Sequence, residues 1–252
     1  MFLFWMTLVW CSTPLDSVEE ISLRQMNGAH LKPYVAHYVE KMDGKSVGQR
    51  QVSLMQAVYP GGPGFRSVIA MMRSDTVYDE HRFLSEQFQP VARLISCQSL
   101  LHQIEVYGQD GIHAVKMEKD GTNPQALDLK VRGERYLGSL PYLLAGMKLE
   151  KGMILHIPIY SSDLGPNQQG GFAQIEVLGQ EKVVGLDGKT YETWLVSQRF
   201  LDLDKKPLQM GDREMPPSRH WISHQPPYAI QSQFGPMTIR LKTVTLLPEL
   251  EP

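Results

Sequence analysis

The fold class is decided by one stretch, His102-Gln-Ile-Glu-Val-Tyr107, Gly108-Gln-Asp-Gly111, Ile112-His-Ala-Val-Lys-Met-Glu-Lys119. Its two outer runs alternate apolar and polar residues, which is the period of a strand with one face in a core. The segment between them ends in Asp-Gly, a pair that tolerates the positive φ angles of a tight hairpin turn. This stretch is therefore predicted to be a β-hairpin.

The same turn pair occurs three more times, at Asp43-Gly44, Asp120-Gly121 and Asp187-Gly188. Repeated Asp-Gly pairs between alternating runs indicate an antiparallel sheet built from consecutive hairpins, with about twelve strands in all. The chain has no linker long enough to divide two domains. Residues 34–246 are therefore expected to form a single, mainly β domain.

Short helical segments interrupt this pattern at one or two places. Arg135 to Gly146 ends in a glycine stop, and its leucines share the spacing of one helix face: Leu137, Leu140, Leu143 and Leu144. Ser17-Val-Glu-Glu20 has the pattern of a capping box, which predicts a short surface helix at best.

Size and charge exclude some classes of protein. A chain of 252 residues buries roughly 70% of its unfolded surface, so it needs neither metals nor disulfides to build a core. The net charge of −2 argues against nucleic-acid binding, which usually requires an excess of Lys and Arg. Only Cys11 and Cys97 are present, so a disulfide framework is excluded.

The N-terminus predicts export. Met1 to Trp10 is an apolar run, too short to span a bilayer and suited to the core of a signal peptide. We expect a signal peptide or apolar segment over residues 1–12, an extension over residues 13–33, and a periplasmic or otherwise exported mature chain without a transmembrane span. A lipid anchor at Cys11 and an N-terminal segment packed into the domain are the alternatives.

The sequence contains no recognisable catalytic or metal-binding motif, so neither a catalytic site nor a metal site is predicted. Asp75, Asp79, Glu80 and His81 form an acidic cluster with a histidine, and a hydrolase built around Asp79 and His81 is one alternative. His220 and His224 are four residues apart, but on a strand this separates them by roughly 13 Å, too far for one metal ion. No cofactor is expected, and a binding protein is favoured over an enzyme.

Aromatic residues of the C-terminal strands suggest an apolar cavity. Aromatic-rich inner faces of curved sheets can line such a cavity. The candidate lining residues come from these strands and from the predicted helix: Trp194, Trp221, Tyr228, Ile230, Phe234, Leu140 and Leu144. The alternative is that these side chains simply fill the core.

A series of short motifs resembles an uncharacterised family of exported bacterial β-proteins, known as a domain of unknown function. The matching segments are Arg135-Tyr-Leu-Gly-Ser-Leu-Pro-Tyr-Leu-Leu144, Leu149-Glu-Lys-Gly-Met153, Val177-Leu-Gly-Gln-Glu-Lys-Val183 and Arg219-His-Trp-Ile-Ser223, within residues 34–244. The resemblance implies a curved antiparallel sheet, a half-barrel or barrel-like form similar to the periplasmic lipoprotein carriers. It implies no catalytic residues.

The expected function is that of an exported cell-envelope protein that binds an apolar or lipid-like ligand in a curved β-sheet. The first alternative is a structural or interaction subunit of an envelope complex, with a protein partner. The second is a hydrolase whose active site has no recognisable motif.

Overall fold

The computed structural model describes residues 19–20, 26–74, 76–108, 111–118, 121–130, 140–159, 170–210 and 212–249. The predicted signal peptide lies outside these residues, as do most of the N-terminal extension, Asp75, and residues 135–139 of the predicted helix.

The described residues contain seventeen strands and one short helix. The elements are β1 Glu19–Glu20, β2 Tyr34–Met42, β3 Lys45–Tyr59, β4 Gly62–Arg73, β5 Thr76–Ser85, β6 Pro90–Cys97, β7 Leu100–Tyr107, β8 Ile112–Lys116, β9 Gln125–Leu129, α1 Leu140–Ala145, β10 Ile154–Ile159, β11 Gly171–Val184, β12 Thr190–Leu201, β13 Gln209–Met210, β14 Arg213–Glu214, β15 Ser218–Ile222, β16 Ala229–Phe234 and β17 Met237–Leu246. The prediction of a mainly β chain is confirmed.

Fifteen of the strands form one sheet. Its order is β1-β10-β11-β12-β15-β16-β17-β2-β3-β4-β5-β6-β7-β8-β9, and β13 and β14 pair separately. All pairings in the large sheet are antiparallel except β1 with β10. Within the described residues the sheet does not close, because β1 and β9 are each paired on one side only.

The hairpins follow from the turn residues. The predicted hairpin around residues 108–111 is confirmed, since β7 pairs with β8 from Tyr107 opposite Ile112 to Gln103 opposite Lys116. Asp43 and Gly44 have φ angles of 49° and 78°, both positive, as a two-residue type I′ turn requires. At Asp187-Gly188 only Gly188 has a positive φ angle. The Asp187 carboxylate accepts hydrogen bonds from the Lys189 amide and the Tyr191 hydroxyl.

Two segments differ from the sequence prediction because tertiary pairing overrides local patterns. Glu19–Glu20, predicted to be helical, pairs in parallel with β10. The composition of Pro60-Gly-Gly-Pro-Gly64 predicts a connecting loop, but β4 already begins at Gly62. A Cβ atom on Gly64 would lie 2.2 Å from the Leu84 carbonyl oxygen, so a glycine lets β4 approach β5 here.

The helix α1 covers one end of the sheet's inner face. Leu140, Leu143 and Leu144 are buried, and they pack in a core with residues of β2, β10 and β11. Leucines at helical spacing had predicted this helix, and the prediction is confirmed for residues 140–145. The core thus lies between α1 and the inner face of the sheet.

Candidate ligand-binding cavity

A cavity of about 370 Å³ lies inside the curve of the sheet. Arg82 of β5 and Ile159 of β10 both line it, although eight strands separate β5 from β10 in the sheet order. In a flat sheet, with neighbouring strands about 4.8 Å apart, these two strands would be roughly 43 Å apart. The sheet must therefore curl into a barrel-like form around the cavity.

Part of the cavity wall is apolar. Its larger side chains come from five strands and the helix: Ile69, Leu140, Ile159, Phe200, Phe234 and Ile239. Phe234 stands directly before the turn at Gly235 and is 39% exposed. The apolar wall therefore extends to the solvent at the turn between β16 and β17.

Three tyrosines cluster beside the cavity, and two of them, Tyr34 and Tyr142, line it. Tyr34, Tyr142 and Tyr228 pack edge-to-face, with ring centroids 5.7 to 6.5 Å apart. The Tyr34 hydroxyl donates to the Tyr142 hydroxyl at 3.2 Å, and the Tyr142 oxygen lies 3.1 Å from the Ser67 hydroxyl. Burial raises the pKa of Tyr34 and of Tyr142 above the ordinary value of 10, so both hydroxyls stay neutral.

A buried carboxylate holds Arg50 in the wall. The Arg50 Nε donates to Glu40 Oε1 at 2.8 Å, and Arg73 Nε donates to Glu40 Oε2 at 2.5 Å. Burial lowers the pKa of Arg50, but Glu40 opposes this effect and a guanidinium remains protonated at neutral pH. The Glu40 side chain is fully buried, whereas the Arg50 side chain is 20% exposed.

A second buried carboxylate holds Arg82. Glu80 lies between Arg82 and Arg93, with nitrogen–oxygen distances of 2.8 and 2.7 Å. Arg93 also lies 3.7 Å from Glu105, which is buried on β7. Burial opposes ionisation of Glu80, but Arg82 and Arg93 outweigh it and lower the pKa of this carboxyl group to about 2.

A buried histidine completes the polar part of the wall. The His220 Nε2 lies 3.0 Å from the Ser218 hydroxyl, and its Nδ1 lies 2.9 Å from the Ser232 hydroxyl. Burial lowers the pKa of His220 to about 4, so the ring is neutral at pH 7. A neutral ring donates with one nitrogen and accepts with the other, and the two serines satisfy both.

The arrangement is suited to binding. Apolar side chains, neutral hydroxyl groups and two guanidinium groups line one cavity of ligand size. None of the described residues that line it is Asp or Glu. The side chains of Tyr34, Tyr142, Arg50, Arg82 and His220 already have hydrogen-bond partners, so this part of the wall is ordered before a ligand enters.

The structure brings together only some of the predicted lining residues. Leu140 and Phe234 line the cavity. Tyr228, Ile230 and Leu144 are buried in the core, and Tyr228 contributes its ring to the tyrosine cluster. Trp194 packs against the core from one side. Trp221 donates from its indole nitrogen to Glu181 at 2.8 Å.

Of the candidate catalytic and metal residues, His220 lines the cavity and the others that the structure describes do not. On β5, Glu80 faces the buried side, so Asp79 and His81 share the opposite face, as expected for a strand. The His81 ring contacts Arg66 at 2.7 Å, and burial together with Arg66 lowers its pKa. His224 bonds to the Ala145 carbonyl group. No three His, Cys, Asp or Glu side chains are clustered for a metal ion among the residues that the structure describes.

Sequence reasoning missed the polar part of the wall. Its members lie on the inner faces of β2 to β5 and β15: Tyr34, Tyr38, Arg50, Ser67, Arg82 and His220. They occupy alternate strand positions at which the pattern calls for apolar residues. One signal in the sequence could have revealed these residues, namely a charged residue at a strand position that faces the core. Such a residue is buried only when it is paired, so its position indicates a buried polar site.

Comparisons with known proteins support the fold and show no function. No family model and no curated protein matches the chain. Among solved structures, the chain is similar to the crystal structure of a β-barrel-like protein of domain of unknown function DUF1849 from Brucella abortus. The sequences are 13% identical, the TM-score is 0.51, and the alignment covers 86% of this chain and 99% of that chain.

This likeness supports the predicted resemblance to an uncharacterised β-barrel-like family at the level of the fold. Export and similarity to lipoprotein carriers stay predictions. No helix among the described residues has the length and apolar character needed to cross a membrane.

Proposed function

We propose that the protein binds an apolar or lipid-like ligand in the cavity enclosed by its curved sheet. The observation that carries this proposal is the cavity itself, whose volume of about 370 Å³ falls in the roughly 300–1,000 Å³ range of small-molecule sites. Half-buried apolar side chains, such as Ile69 and Phe200, face a space that no other described side chain fills. Covering them with a ligand would remove apolar surface from water.

The test uses a variant that fills the cavity. Ala173 lies on the inner face of β11, opposite Phe200, and lines the cavity. The purified protein is delipidated, incubated with a lipid extract and analysed by native mass spectrometry. We expect a bound mass on the unaltered protein and a loss of that mass in Ala173→Phe.

The matched control is Ala70→Phe. Ala70 is on β4 next to Ile69, so its side chain points to the outer face of the sheet. This variant is expected to keep the bound mass, and circular dichroism checks that both variants fold. An unaltered protein that carries no bound mass from any extract contradicts the proposal. A reproducible protein partner captured without lipid would instead favour an interaction subunit.

Export is the second part of the proposal. It is supported by the apolar run from Met1 to Trp10, which has the length of a signal-peptide core. N-terminal sequencing of the protein recovered from the cell envelope is expected to find a first residue shortly after Cys11. Cytoplasmic protein with an intact Met1 would contradict it.

A further inference from the structure

The charges around the cavity are unequally distributed. Arg50 and Arg73 share the single carboxylate of Glu40, so this group carries one positive charge in excess. Arg82 and Arg93, by contrast, pair with two carboxylates, Glu80 and Glu105. The excess positive charge is therefore shared by Arg50, which lines the cavity, and Arg73, whose side chain is 44% exposed.

A group with one positive charge in excess, one of whose guanidinium groups lines the cavity, favours a ligand of opposite sign. Moving a charge out of water is costly unless it is paired, and a guanidinium group presents its donors in a geometry that fits carboxylate and phosphate oxygens. Among the described residues of the wall, none supplies a negative charge. An anionic group entering beside Arg50 would meet no carboxylate among the lining residues, and Arg73 offsets the negative charge of Glu40 behind Arg50.

The remainder of the wall indicates what is attached to this anionic group. Ile69, Phe200 and Phe234 offer apolar surface within the same cavity. The volume of about 370 Å³ is near the lower end of the usual range, which fits one hydrocarbon chain better than two.

We propose that the ligand is a single-chain amphiphile with an anionic head, which pairs with Arg50 while its chain lies against Ile69, Phe200 and Phe234. This inference rests on the proposed function, because it names the class of ligand for the same cavity. A carboxylate and a phosphate head share the required chemistry.

The test compares ligands of equal chain length by isothermal titration calorimetry on the delipidated full chain, below micelle-forming concentrations. The probes are dodecanoate, dodecyl phosphate and the uncharged dodecanol. We expect at least one anionic probe to bind at least about 10-fold more tightly than dodecanol. This ratio corresponds to the free energy of about one charge-assisted hydrogen bond. The stronger of the two anionic probes identifies the head group.

Variants assign the effect to Arg50. In Arg50→Gln, Glu40 keeps Arg73 as a partner, so no buried carboxylate is left alone. This variant should bind the anionic probe about 10-fold more weakly and dodecanol as before. The matched control is Arg199→Gln, which removes a half-exposed arginine that pairs with Glu214 and does not line the cavity. It should leave both affinities unchanged.

The outcomes separate the two proposals. Binding of dodecanol and both anions with equal affinity to the unaltered protein overturns the anionic head and leaves the apolar cavity standing. Absence of binding by all three probes overturns both. An equal loss in Arg50→Gln and Arg199→Gln overturns the role of Arg50. If Arg50→Gln does not fold, the ratio of anion to alcohol affinity in the unaltered protein still decides whether the cavity prefers an anionic head.

Discussion

Glu80 is the residue on which the charge network of β5 and β6 depends. Its carboxylate lies between two guanidinium groups and is only 5% exposed. Breaking a buried ion pair by removing one partner costs about 3–5 kcal/mol, because the remaining charge is left without compensation.

We therefore expect Glu80→Gln to lower the free energy of unfolding at pH 7 by about 3 kcal/mol, as measured by urea denaturation. The matched control is Glu192→Gln, since Glu192 pairs with Lys182 on the surface and its side chain is 75% exposed. Exposed pairs contribute about 0–1 kcal/mol, so the control should change little. Equal losses in the two variants would contradict the role assigned to burial.

Two residues should give stability a two-step dependence on pH. The folded-state pKa of His220 is about 4, below its ordinary value of 6.5, and that of Glu80 is about 2, below 4.5. In both cases the unfolded chain binds protons more readily, so acid favours unfolding. Stability should fall first between pH 6.5 and 4 through His220, then between pH 4.5 and 2 through Glu80.

Each step corresponds to about 3 kcal/mol, because one pKa unit is about 1.36 kcal/mol. Urea denaturation over this pH range should show His220→Asn losing most of the upper step, to which His81 with its lowered pKa also contributes, and keeping the lower one. Glu80→Gln should lose the lower step and keep the upper one. A single step shared by both variants would refute the assignment.

At the scale of elements, the pairing of β4 with β5 depends on Gly64. A Cβ atom on residue 64 would clash with the Leu84 carbonyl oxygen and the Tyr59 ring. We expect Gly64→Ala to cost about 1–3 kcal/mol, in the range of overpacked sites. Gly61→Ala, three residues earlier, has nothing within 4 Å of the added atom and should stay within about 0.5 kcal/mol. Thermal unfolding of the two variants measures the difference.

Local patterns were enough to predict most elements. The hairpin of β2 and β3 could be predicted, because its turn pair Asp43-Gly44 directly follows the strand Tyr34–Met42. Gln125–Leu129 was missed, since five residues carry too little alternation to indicate a strand, although the Asp120-Gly121 turn pair precedes them. Glu19–Glu20 was predicted wrongly, because its pairing with β10 depends on residues more than 130 positions away.

At the scale of the whole molecule, an open sheet has unequal stability along its width. The central strand β2 is paired on both sides, with β17 and β3, whereas β9 is paired with β8 alone among the described residues. Amides of Gln125–Leu129 are therefore expected to exchange by local opening, and those of Tyr34–Met42 only in global unfolding. Hydrogen exchange at increasing urea concentrations distinguishes these modes. Equal protection of the two strands would contradict the expectation.

A cavity was predicted from the sequence, but the composition of its wall was beyond sequence reasoning for a related reason. Which residues face one another across it depends on the curl that brings β5 near β10, and no local pattern encodes that curl. Leu140 and Phe234 were predicted because they are apolar. Arg50 was not, because its burial becomes acceptable only once Glu40 is known to lie beside it.

The pairing of β17 with β2 has a consequence for synthesis on the ribosome. β2 ends at Met42 and β17 begins at Met237, so β2 emerges about 195 residues before its second neighbour. At roughly 5–20 residues per second, the nascent chain carries that unpaired strand edge for on the order of 10–40 s. Open strand edges are templates for association between chains. The yield of folded protein should therefore depend on whatever shields β2 while the second half of the chain is translated.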